Sequence, residues 1–128
     1  MDSKFRAMSI TNFEDHTNEL NDKELEILPL VIHSFRKYDK DSPIKSADIV
    51  KKMNIYLIQR EYTIKMTGAR LRKMVNFIRS NSLLPLIATS RGYFTSKNKD
   101  TVEKQIKSLL ERARSIENCA NGLSKFLD

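Results

Sequence analysis

Thr67-Gly68-Ala69-Arg70-Leu71-Arg72-Lys73-Met74-Val75-Asn76-Phe77-Ile78-Arg79, followed closely by Leu83-Leu84-Pro85-Leu86-Ile87-Ala88-Thr89-Ser90-Arg91-Gly92-Tyr93-Phe94, is the stretch on which the fold turns. Thr67 is a helix-capping residue type, and Leu71, Met74, Val75 and Ile78 recur at helical spacing, so they form one buried stripe. Ala69, Lys73, Asn76 and Ser80 lie on the opposite face, with Arg70 and Phe77 on one shoulder and Arg72 and Arg79 on the other. Ser80-Asn81-Ser82 ends the helix. Leu83 to Thr89 then reads as a β-strand held to an edge by Pro85, Ser90-Arg91-Gly92 as a turn with Gly92 suited to a positive φ, and Tyr93-Phe94-Thr95 as the return strand. The alternation of Tyr93 and Phe94 places one of them in the core.

Working outward, Asn21 is placed to cap a helix whose first turns hold Asp22, Glu24 and Glu26. Leu25, Leu28, Val31, Ile32 and Phe35 follow at helical spacing. Pro29 requires either a kink or a new helix start, because proline lacks an N–H and crowds the preceding turn. Tyr38 to Pro43 is a loop, Ile44 a short extended residue, and Ser46 the cap of a second helix with Ala47, Val50 and Met53 on its inner side. Residues 54–66 either continue that helix or form a connector. Downstream, Asp100 is placed to cap a long helix in which Val102, Ile106, Leu109, Ala113, Ile116, Ala120, Leu123 and Leu127 keep alternating spacings of four and three. A helix of about 26 residues extends roughly 39 Å, more than one small domain covers. Ile106, Leu109, Ala113, Ile116, Ala120 and Leu123 are therefore expected to join two copies of the chain, packing on the chain's own domain being the alternative. The expected organisation is a polar arm at 1–20, anchored by Met8, Ile10 and Phe13, a domain at 21–99 and a C-terminal amphipathic helix at 100–128. The fold class is α+β, mainly α: three helices and a β-hairpin, then the long helix.

Charge is distributed unevenly. The chain of 128 residues has 23 Lys and Arg against 16 Asp and Glu, a net charge of +7. Residues 43–99 alone hold twelve basic residues and two acids, Asp48 and Glu61, for +10, and no acid stands between Glu61 and Asp100. Segregation on this scale favours a polyanionic partner over a merely solubilising surface. One Cys and two His exclude a disulfide framework within the chain and argue against a zinc site. There is no glycine-rich phosphate loop, and neither His16 nor His33 stands near a Ser or Cys in sequence, so an enzyme is not expected, and no cofactor or metal is either. No apolar run approaches the ~18 residues of a membrane span, and Met1 to Arg6 lacks the apolar core of a signal peptide, so the expected setting is cytoplasmic.

The helix at 67–79 and the hairpin at 83–94 resemble the winged helix-turn-helix family, most of all small winged-helix proteins of bacteriophages and bacterial mobile elements. The resemblance extends over about residues 22–96 and is specific over 67–94, where Leu-Pro-Leu-Ile-Ala-Thr-Ser-Arg-Gly-Tyr-Phe is similar to a wing with a Gly-Tyr-aromatic step after a polar tip. Pro29 and the connector at 54–66, where the common motif has a tight turn, are its departures. The resemblance implies a supporting second helix, a third helix that enters the DNA major groove, and a wing that touches the backbone or minor groove.

Double-stranded DNA is accordingly the expected partner of a homodimer acting in transcription or replication control. Thr67, Arg70, Arg72, Lys73, Asn76 and Arg79 are the expected contacts on the third helix, Lys51 and Lys52 on the second, and Arg91 and Lys97 at and after the wing. Lys73 and Asn76 would read bases and Arg91 would grip the backbone. A module that binds a host or partner protein is the rival expectation. Single-stranded or RNA binding is disfavoured, because the four Tyr and six Phe fall mostly at core-like positions.

Overall fold

Asn21 opens the first helix by a reciprocal pair of hydrogen bonds. Its side chain accepts from the Glu24 amide at 2.8 Å, and the Glu24 carboxylate accepts from the Asn21 amide at 3.0 Å. Such a capping box satisfies two amide donors that the helix itself leaves unpaired. Helix α1 then runs Asp22–Phe35 in one piece with Pro29 inside it. Pro29 is exposed, as is Leu25 (46%), whose carbonyl the proline leaves without its helix donor. The buried stripe is Ile27, Val31 and Phe35, not one that includes Leu25. The structure is a computed structural model and describes residues 19–127; the expectations for the arm, including Met8, Ile10, Phe13 and His16, lie outside the described residues.

Helix α2 (Ser46–Gln59) begins one residue earlier than a Ser46 cap would place it: Lys45 is the N-cap and makes no side-chain cap bond. Its inner side is Ile49, Met53 and Leu57, with Ala47 exposed and Val50 half-buried. Of the two readings of 54–66, the helix continues to Gln59. The chain then reverses, with Glu61 at φ 62° and the Tyr62 amide donating to Leu57 O at 2.9 Å. Ile64 and Met66 return to the core. Asn54 fastens this connector: its side-chain amide donates to Met66 O at 2.9 Å and its carbonyl accepts from Met66 N at 2.7 Å. A buried backbone segment outside regular structure thus has both of its polar groups satisfied by one side chain.

Thr67 caps helix α3 (Gly68–Ser80), its hydroxyl accepting from the Arg70 amide at 3.1 Å, and Leu71, Met74, Val75 and Ile78 are buried as the spacing predicts. The hairpin follows. Strand β1 (Leu86–Thr89) pairs antiparallel with β2 (Gly92–Thr95) in the register Leu86↔Thr95, Ile87↔Phe94, Ala88↔Tyr93 and Thr89↔Gly92, so that Ser90 and Arg91 make the connection. Ile44 extends the pairing, exchanging backbone hydrogen bonds with Tyr93 at 2.9 and 2.7 Å. Gly92 has φ +128°, yet it is the first residue of β2 and not part of the turn. A Cβ there would stand 2.4 Å from Ile44 O, so both the backbone conformation and the close approach of the Ile44 segment require glycine. Phe94 is buried, and Tyr93 is half-buried with its ring edge-on to Phe35 at 5.5 Å. Both aromatics therefore serve the core.

Helix α4 (Lys99–Ser124) is capped by Asn98, whose side chain accepts from the Thr101 amide at 3.0 Å, while Asp100 sits in the first turn. A short 3₁₀ turn, Lys125–Leu127, ends it. Among the described residues of α4 none is buried. The described chain falls into two compact units divided between Thr95 and Ser96, four residues before the boundary expected from sequence. The fold is α+β and mainly α, and the order of α1 to α3 and the hairpin is compatible with a winged-helix shape.

Candidate nucleic-acid interface

Three of the cations expected to face DNA, Arg70, Lys73 and Arg79, are committed inside the first unit. Glu24, 2% exposed, receives Arg70 Nε at 2.9 Å and Lys73 Nζ at 2.9 Å. Arg70 also donates to Lys65 O at 2.6 Å. Burial raises the Glu24 pKa, but the hydrogen bonds from Lys73, the Asn21 amide and Arg70 outweigh it and hold the carboxyl below its ordinary range. The outward placement expected for Lys73 is corrected: its side chain is 13% exposed, because the start of α1 covers that side of α3. Arg79 donates from Nε to Leu86 O at 2.9 Å and pins β1 to the end of α3. The Thr67 hydroxyl is engaged as the cap. Arg70, Lys73 and Arg79 thus tie elements together, and Thr67 closes the start of α3.

The others have different surroundings. On α3, Ala69, Arg72 and Ser80 are exposed and Asn76 is half-buried, which defines an outward strip with one cation and one amide. Lys51, Lys52 and Arg91 come together although they are far apart in sequence. They line an open cleft of about 750 Å³ between the loop after α1, the start of α2 and the hairpin connection. Lys45, absent from the sequence-derived set, is the fourth cation there, and Asp41 and Asp48 are its carboxylates. Lys52 lies over the Tyr38 ring at 5.8 Å and approaches its hydroxyl at 3.4 Å. Four cations against two carboxylates give the cleft a positive balance, and its basic side chains are exposed. The loop, helix and hairpin that build it are held together by the Ile44–Tyr93 pairing and by the Thr95 amide donating to Tyr38 O at 2.9 Å. Only the charge imbalance of residues 43–99 hinted at Lys45; its place beside Arg91 depends on that pairing. Lys97 is exposed and belongs to the second unit.

The residues expected to join chains form a strip along α4. Ile106, Leu109, Ile116 and Leu123 are exposed, as is Ala113, and Ala120 is half-buried. Cys119 is exposed beside them. Among the described residues there is no group of three or more His, Cys, Asp or Glu able to hold a metal ion, and no helix long and apolar enough to cross a membrane.

The chain matches no family model, no curated protein and no solved structure.

Proposed function

We propose that this chain is a dimeric winged-helix protein that binds double-stranded DNA without catalysing a reaction, as a regulator of transcription or replication in a phage or mobile element. The observation that carries the reading is the convergence of Lys45, Lys51, Lys52 and Arg91 on one exposed cleft within the acid-poor segment 43–99. Duplex DNA presents a closely spaced row of phosphates, and exposed Lys and Arg are the side chains that neutralise it. Arg72 and Asn76 on the outward strip of α3 are the candidates for reading base edges, since an arginine suits guanine and an amide suits adenine. Arg70 and Lys73 contribute by fixing α3 against α1.

Selection of bound sequences from a random duplex pool tests the reading. A recovered consensus that Asn76→Ala or Arg72→Ala alters, while Arg91→Ala lowers recovery of all duplexes alike, supports it. A pool that shows no enrichment with the unaltered chain contradicts base reading. A second reading, a protein partner, is favoured by Ile55 and Ile58, which are 52% and 75% exposed on the same side of α2. Isolation of the chain in a stoichiometric protein complex free of nucleic acid would support that alternative.

A further inference from the structure

The strip on α4 has a property beyond its hydrophobic repeat: it is complementary to itself when reversed. We infer that two copies pair through α4 in antiparallel orientation, in the register where Ala113 faces the partner's Ile116. This rests on the dimer proposed above and gives it a direction. Within Lys99–Ser124, the strip carries two small residues, Ala113 and Ala120, and four large ones. In the reversed register Ile106 meets the partner's Leu123, Leu109 the partner's Ala120, and Ala113 the partner's Ile116, each layer occurring twice. No alanine faces an alanine, and the two alanine-containing layers each receive a large aliphatic side chain. Side by side in parallel, the same strip would set Ala113 against the partner's Ala113 and Ala120 against the partner's Ala120. Those two thin layers would alternate with bulky Leu109, Ile116 and Leu123 layers that hold the helices apart, leaving gaps a packed interior does not tolerate.

Charge at the edges of the strip is compatible with this direction. Reversal places Arg112 beside the partner's Cys119 and Glu117 beside the partner's Leu110, with no like charges opposed. It also covers Leu110, which is 66% exposed. The parallel pair would offer one ion pair on each edge, Arg112 with the partner's Glu117, but an exposed rim ion pair contributes little beside a filled core layer. Reversed helices also set opposite dipole ends together. The consequence for DNA is geometric: the two α4 starts, to which the winged units are joined, stand about 46 Å apart, whereas parallel pairing would bring them side by side.

The test is a distance on the full chain, measured without DNA so that it stands independently of the DNA-binding reading. Glu103 is exposed on the edge of the strip. A Glu103→Cys variant in a Cys119→Ser background, nitroxide-labelled, is measured by pulsed dipolar spectroscopy. The antiparallel register places the two labels about 35 Å apart along the axis, whereas parallel helices 8–10 Å apart hold them at about 25 Å or less. A distribution centred near 35 Å is the expected result. A distribution at or under about 25 Å, or no intermolecular dipolar signal, overturns the inference. DNA binding by a chain with either outcome is unaffected, so the two failures are separable.

Discussion

Glu24 is a carboxylate asked to do three things at once. It completes the cap of α1, and it receives Arg70 and Lys73, which stand 46 and 49 residues away in sequence. Its depressed pKa makes it a source of stability that is fully present above the ordinary carboxyl value of about 4.5 and is lost as pH falls through the lower folded value. Glu24→Gln should lower stability at neutral pH by about 2 kcal/mol, because two partly covered cations lose their counter-charge while the amide keeps some hydrogen bonding. Denaturant midpoints measured from pH 7 down to pH 3 should show the unaltered chain losing that advantage below about pH 4.5, so that the two proteins converge; a constant gap would place the effect elsewhere. Half of this residue was legible in the sequence: Asn21 three positions earlier marks the cap. The other half was not, because a helical wheel reports only the angle of Lys73 from the apolar stripe of α3. It contains nothing about a second helix end that reaches over the other side.

At the scale of elements, the apolar stripe of α3, the hairpin and the continuous repeat of α4 were legible because each depends on local spacing. The register of the stripes on α1 and α2 was less so. Leu25 and Ala47 are apolar but lie about 120° from the covered line, and the choice between neighbouring lines is made by what packs against them. The cleft was legible only as charge. Its shape depends on Ile44 joining the hairpin, a contact between segments 49 residues apart, and Gly92 is what permits it. Gly92→Ala should therefore destabilise the first unit by more than 2 kcal/mol, since a strained φ and a clash with the Ile44 carbonyl act together. Thermal unfolding followed by circular dichroism checks this; a midpoint within a degree of the unaltered chain would mean that the Ile44 pairing is not tight. Arg79 illustrates the same limit, for nothing in its own neighbourhood predicts that its guanidinium would hold Leu86 O.

On the scale of the whole molecule, two units divide the work proposed for them. The first holds the cationic cleft and the outward strip of α3, and the second offers an aliphatic strip with no buried residue. An unpartnered strip with Leu123 and Ile116 each more than 60% exposed is a poor end state in water. Sedimentation equilibrium should give twice the chain mass of 14.9 kDa for the unaltered protein and the single mass for Ile116→Asp. An unchanged mass would release the strip from any role in self-association. Of the basic residues of segment 43–99, Arg70, Lys73 and Arg79 serve the structure, and Lys45, Lys51, Lys52 and Arg91 stand at the cleft. The most direct measurement is a fluorescence titration of labelled duplex DNA at several salt concentrations with the unaltered chain and with Lys51→Ala/Lys52→Ala/Arg91→Ala. The account predicts binding in low salt that weakens steeply as salt rises, and a log–log salt slope reduced in the triple variant by about 0.9 for each phosphate contact removed. No binding by the unaltered chain at low salt, or identical slopes for the two proteins, would contradict it.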